Sequence, residues 1–239
     1  MEDIKKRFEE LYNRSYSRSF SVFTDFLNID ELSTLIQMKL PCTVFGGYDQ
    51  AQRAVAGFGE FVEEKDFPIV CVCISPVKEK FADELTHRDF LGALMNLGIK
   101  REMTGDIIVE GNTGYVFCLE QISEYIADNL NRVRHTAVSC EILQQAPDCV
   151  NKPPQQLELI VPSCRADAVV SAVFKLSRNE ASRLFASRKI YINSITSENT
   201  SYQLKENDIV SVRGFGKFAF DGVLRKTKKD RLVISVAKY

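Results

Sequence analysis

Apolar residues along this chain change their period several times, and the changes mark out stretches of different architecture. Ile4, Phe8 and Leu11 fall at i, i+4 and i+7, and Phe23, Phe26, Leu27, Leu32, Leu35 and Ile36 continue the spacing, so residues 1–65 read as mostly helical. Within them Thr43-Val44-Phe45 reads as a short strand ending on Gly46-Gly47-Tyr48, with Asp49 placed to cap a helix through Ala51, Ala54 and Val55. A Gly pair between strand and helix could also cradle phosphate, but no complete phosphate-loop spacing is present and a tight turn accounts for it. From 66 to 150 the rhythm is clearest. A strand is expected over 69–75, a helix over 88–97 opened by Thr86 and closed by Gly98, and a hairpin of 107–110 with 115–119. A helix over 122–130 and a strand over 136–143 follow.

The order βαββαβ is the split plan of ferredoxin-like folds. After it, Pro147, Pro153 and Pro154 forbid helix and remove sheet donors, which places a linker and lead strand at 151–162. Residues 163–239 then form the most distinctive stretch. An apolar helix over 167–176 meets a second helix at Ser177, where the Ser177 hydroxyl and Glu180 make a capping box and hence a sharp corner. The second helix sets Asn179, Arg183 and Ser187 on one polar ridge and turns Ala181, Leu184 and Phe185 toward a core. Lys175, Arg178, Arg188 and Lys189 flank it. Strands at 190–193, 209–213, 218–224 and 231–236 complete a small antiparallel sheet, with Arg213-Gly214-Phe215-Gly216-Lys217 as a bend between two of them. The fold class expected is α+β: a mostly helical α/β domain (1–65), a ferredoxin-like domain (66–150) and a helical-corner domain with a small sheet (163–239).

Charge sharpens this division. The net charge of −1 conceals two opposed halves: residues 163–239 carry 15 Lys and Arg against 7 Asp and Glu, while 1–162 carry the remaining 16 against 25. A surplus that basic is an electrostatic footprint for phosphate, and the acidic remainder suits a docking surface for a protein partner. Seven cysteines, an odd number lying largely in apolar runs, read as buried thiols of a reducing compartment, and Cys71-x-Cys73 with only two histidines gives no metal-site spacing. The N-terminus has no apolar signal core and no eighteen apolar residues run together, so the expectation is a cytoplasmic protein without a membrane span.

The candidate chemistry is therefore recognition of a folded nucleic acid. Arg165, Lys175, Arg178, Arg183, Arg188 and Lys189 are expected on phosphates, because guanidinium forks match phosphate oxygens, with Ser177, Ser187 and Asn193 adding neutral hydrogen bonds and Arg213 and Lys217 extending the footprint. Tyr115 and Phe117 alternate on the third central strand, where aromatics stack bases in RNA-recognition folds; packing into the core is the competing role. No catalytic residue, cofactor or metal is expected. His87-Arg88-Asp89 echoes a kinase catalytic loop but lacks its partners, and Thr86 with Asp89 explains it as a helix start.

Arg165-x-Asp167, Leu176-Ser177-Arg178-x-x-Ala181-x-x-Leu184-Phe185, Lys189-Ile190-x-Ile192-Asn193 and Leu204-x-x-x-Asp208-Ile209-Val210-x-Val212 together resemble an S4 RNA-binding domain. Such domains usually carry glycine where this chain has Arg188 and Ser194, so keeping the turn would put Arg188 at a positive φ. Over most of the chain, Phe45-Gly46-Gly47-Tyr48 with Gln52-Arg53, His87-Arg88-Asp89 through Gly105-Asp106-Ile107, and Gly214-Phe215-Gly216-Lys217-Phe218 are similar to the YlmH-type bacterial S4-domain proteins. That resemblance implies a non-enzymatic protein contacting ribosomal RNA and tRNA on the large ribosomal subunit, in rescue or quality control of stalled translation. Arg165-Ala166-Asp167 also resembles the short motif of pseudouridine synthases, which implies the rival reading: an RNA-modifying enzyme whose S4 segment delivers substrate.

Overall fold

A computed structural model describes residues 2–18, 20–151 and 153–239, which divide into two compact units, Met1–Lys152 and Pro153–Tyr239. The first unit opens with helix α1 (Glu2–Arg18), strand β1 (Val22–Phe23), helix α2 (Ile29–Met38) and strands β2 (Thr43–Phe45) and β3 (Val55–Phe58). Strand β3 lies between β1 and β2 in a three-stranded antiparallel sheet. Asn28 and Glu31 close a capping box at the start of α2, so the helical spacing through Phe23, Phe26 and Leu27 does not continue upstream of it; Leu27 instead forms a bridge with Ala54. The helix expected after Asp49 also gives way. The backbone amides of Gln52 and Arg53 donate to the Asp106 carboxylate, and the chain runs on into β3, whose four residues are all buried. A distant carboxylate and a closed sheet satisfy this segment better than a short helix could.

The rest of the first unit comprises β4 (Ile69–Pro76), α3 (His87–Asn96), β5 (Thr104–Glu110), β6 (Thr113–Leu119), α4 (Glu120–Asn129), β7 (Arg132–Val133) and β8 (Thr136–Leu143). The sheet order is β5-β6-β4-β8-β7, with every neighbouring pair antiparallel. Strand β4 is central. One sheet face, with Val72, Ile74, Val116 and Cys118, packs against Phe90 and Leu94 of α3 and Ile122 and Ile126 of α4. The opposite face, with Cys71, Phe117 and Leu119, is covered by Phe26, Val55, Phe67 and Val150. Both faces are thus closed by hydrophobic burial.

The second unit holds β9 (Gln155–Val161), α5 (Ala166–Phe174), α6 (Arg178–Ala186), β10 (Ile190–Ile192), β11 (Ile195–Thr196), β12 (Asp208–Val212), β13 (Gly216–Lys226) and β14 (Leu232–Lys238). The strands form one antiparallel sheet in the order β11-β10-β12-β13-β14-β9. Val169, Val170 and Val173 of α5 and Ala181 and Phe185 of α6 share a core with Ile190, Val210, Phe218, Phe220 and Ile234. This core sets the outward faces of the helices.

Candidate nucleic-acid interface

Local chemistry builds the corner between α5 and α6. Lys175 ends α5 in the left-handed region (φ 54°), and the Ser171 hydroxyl donates to the Leu176 carbonyl at 2.6 Å, closing the turn. Ser177 Oγ accepts from the Glu180 amide at 3.2 Å while Glu180 Oε2 accepts from the Ser177 amide at 2.8 Å. These bonds hold the Glu180 carboxyl below the usual carboxylate range. Ala181 and Phe185 are fully buried, so the same helical geometry leaves Asn179, Arg183 and Ser187 exposed along one ridge. Arg178 is not on that ridge. It lies five residues from Arg183, more than a third of a turn round at about 3.6 residues per turn, on the side where its charge reaches Asp167.

After the ridge the backbone turns sharply: Arg188 takes φ 57° and Ser194 φ 64°, the two positions where glycine was missing. Arg188 forms an ion pair with Glu198 at 3.3 Å, both side chains more than half exposed, so a phosphate can displace the carboxylate at little cost. The Lys189 carbonyl accepts the Arg213 amide, which sets the β12–β13 bend beside the C-terminus of α6. In that bend Phe215 packs on Phe174, the residue before Lys175, with ring centroids 5.9 Å apart. Lys217 sits over the Tyr239 ring at 5.1 Å and Lys238 over Phe174 at 5.2 Å. Lys238 was not a sequence candidate, because only the pairing of β13 with β14, Phe218 opposite Lys238, brings it to the bend. Arg178, Arg183 and Lys189 are exposed and form no ion pair with a described carboxylate.

Two expected RNA contacts are engaged inside the fold. The Arg165 fork is bidentate on Asp167, Nε to Oδ1 and a terminal nitrogen to Oδ2, each at 3.0 Å. Asn193 donates from Nδ2 to Asp208 Oδ1 at 2.8 Å and accepts the Ile209 amide on Oδ1 at 2.9 Å, stapling β10 to β12. Asp167 itself is 7% exposed. Burial pushes its carboxyl up, but the Arg165 hydrogen bonds and charge, the Ala168 amide and the Arg178 charge together hold it below its ordinary value. A carboxyl depressed in the folded state adds stability that is complete above its unfolded value of about 3.9 and is lost as pH falls through the folded value. The urea midpoint of the second unit is expected to fall below about pH 4 in the native protein and to change less over that range in Asp167→Asn.

The central sheet closes over one of its two candidate aromatics. Tyr115 and Phe117 share the face away from α3 and α4, but Phe117 is 1% exposed and stacks on Tyr48 with centroids 4.9 Å apart. Gly47, at φ 96°, lies against the ring so closely that a Cβ would come within 2.3 Å of it. Phe117 is therefore a core residue, and Gly47 supplies close approach to its ring, while a Cβ at Gly46 would run into Ala51 and the Arg53 carbonyl. Tyr115 is half-buried, and its hydroxyl is pushed up, first by burial. The motif residues Tyr48, Gln52, Arg53 and Asp106 form a clasp: Tyr48 Oη donates to Asp106 at 3.0 Å, and the Arg53 guanidinium donates to the carbonyls of Phe26, Arg101 and Thr104. Arg101, pulled down to about 10 by burial and then by the Arg53 charge, donates to the Thr104 and Gly105 carbonyls. Among the described residues no cluster of His, Cys, Asp and Glu could hold a metal, and no helix is long and apolar enough to cross a membrane.

Residues 62–146 match the family model described as the putative RNA-binding domain in YlmH. The cell division protein YlmH from Streptococcus pneumoniae superposes with a TM-score of 0.50 at 23% identity, over 62% of this chain and 92% of that one, and so shares the fold. The ribosome-associated protein quality control protein P2 of Bacillus subtilis (strain 168) is 32% identical over 221 residues, spanning 87% of this chain and 83% of the relative. At that identity and coverage the chain belongs to the YlmH family.

Proposed function

We propose that this chain is a non-enzymatic, cytoplasmic RNA-binding protein that holds structured ribosomal RNA and tRNA on the large ribosomal subunit during quality control of stalled translation. In this reading residues 163–239 are an S4 domain and 66–150 an RNA-recognition-like domain of ferredoxin-like plan. The observation that carries it is the exposed cation set at and just after α6: Arg178, Arg183 and Lys189 are open to solvent, and none is held in an ion pair with a described carboxylate, although the Arg178 charge reaches Asp167 and the Arg183 charge reaches Glu180. The Bacillus subtilis relative, named a ribosome-associated protein quality control protein, supports the ribosome as the setting. The competing reading as an RNA-modifying enzyme needs a reactive group open to a base, and the closure of Arg165 on a buried Asp167 counts against that tripeptide supplying one.

Phosphate contacts make binding salt-dependent, because each neutralised phosphate releases condensed counterions. With about five phosphates engaged, the log–log slope of tRNA affinity against salt is expected on the order of −4. Filter binding across a salt series measures it. A slope near zero overturns the electrostatic interface, and a newly modified nucleoside in RNA incubated with the pure protein overturns the non-enzymatic assignment.

A further inference from the structure

On the helix side of the central sheet, α3 and the chain from the end of α4 through β7 enclose an open groove of about 410 Å³. Arg88, Gly92 and Asn96 lie at i, i+4 and i+8 and form one wall, while Asn129, Asn131, Arg132 and Arg134 form the other. Val133 is fully buried, so the residues on either side of it, Arg132 and Arg134, are both turned out of the core. Arg134 sits at φ 53°, a backbone position that glycine takes more cheaply, and its Nε lies 3.7 Å from Asp89 of α3. The turn thus carries a cation across to the helix. Three exposed arginines against one carboxylate make this lining locally basic on a unit that is acidic as a whole.

We propose that this groove is a second RNA site, taking a short unstacked stretch of single-stranded RNA through Arg88, Arg132 and Arg134 on phosphates and the asparagine carboxamides on ribose hydroxyls and base edges. The inference rests on the reading of the chain as an RNA-binding protein and adds a contact apart from α6. Chemistry selects the ligand. Guanidinium forks and amides suit phosphate, 2′-hydroxyl and base edges, and a concave groove admits a splayed nucleotide rather than the convex face of a duplex. The Asn129 Nδ2 is already given to the Tyr125 carbonyl at 2.9 Å, so Asn129 offers its carboxamide oxygen. Gly92 provides the floor: a Cβ there meets nothing within 4 Å, so the ligand can approach the helix backbone.

The test is fluorescence anisotropy of the full chain with a labelled single-stranded oligouridine and, separately, with tRNA. Gly92→Leu should fill the groove from a position where a Cβ has open space, and the loss of a helical glycine should keep its melting temperature at or above that of the native chain. It is expected to weaken oligouridine binding about tenfold with the salt slope unchanged, while Arg88→Ala/Arg132→Ala/Arg134→Ala should reduce the slope by about 2. Arg178→Ala/Arg183→Ala should weaken tRNA binding by a larger factor than oligouridine binding. The groove is overturned if the native chain does not bind oligouridine, if Gly92→Leu binds it as tightly as the native chain, or if Arg178→Ala/Arg183→Ala abolishes that binding. If the groove variants lose oligouridine while Arg178→Ala/Arg183→Ala keeps full tRNA affinity, the groove stands and the α6 interface fails.

Discussion

Replacing Arg178 and Arg183 together by alanine is expected to weaken binding to large ribosomal subunits by about 2–6 kcal/mol, taking about 1–3 kcal/mol for each charged contact. At 1.4 kcal/mol per tenfold change, even the lower end is a loss of more than about tenfold. Both residues are exposed on α6, and alanine is the strongest helix former, so the far-ultraviolet circular dichroism and urea midpoint should stay where they are. Arg183 is expected to contribute more than Arg178, whose charge is partly directed at Asp167. Arg183→Lys separates charge from shape, since lysine keeps the cation but not the planar fork. Co-sedimentation of the double variant at the native level would remove α6 from the interface.

Phe185→Ala should have the opposite profile. Phe185 is fully buried beneath α6 in the core formed with α5 and the sheet, and deletion of such a ring costs about 3–5 kcal/mol through lost burial and the cavity left behind. That is a large share of the roughly 5–15 kcal/mol stability of a whole domain. The urea midpoint is expected to fall sharply, with amide exchange accelerated through residues 153–239. In buffer without denaturant the folded fraction should still bind tRNA with near-native affinity, because the cations above the ring are untouched. An unchanged midpoint would mean that Phe185 does not hold α6 to the sheet. The arginine pair thus changes affinity without stability, and the phenylalanine changes stability before affinity.

The clasp around Asp106 explains why the N-terminal stretch was the least legible part of the chain. Ala51, Ala54 and Val55 fit a helix after Asp49, yet Asp106, more than fifty residues after Gln52, takes the amides of Gln52 and Arg53; Phe26 and Leu27 fit a helical period too, but their amides go to the carbonyls of Glu102 and Ala54. The same distance hid the fate of Tyr115 and Phe117. Alternation placed both on one face of β6, and only packing against Gly47 and Tyr48 closed that face over Phe117. Arg165 and Asn193 show the effect at the candidate interface itself, since their residue types suit phosphate but their side chains are consumed by Asp167 and Asp208.

By itself the sequence determined the capped corner at Ser177, the exposed ridge of Asn179, Arg183 and Ser187, the element order of the central sheet apart from the two-residue edge strand β7, and the basic character of residues 163–239. Each depends on interactions within about one helical turn, on period or on summed charge, all of which are written locally. Tertiary structure alone decided which cations remain open, which sheet face is covered and that Lys238 joins the bend at Phe174. It also brought Arg134 across to Asp89. Those outcomes turn on hydrogen bonds and ring contacts between residues far apart in the chain, where no local spacing specifies the partner.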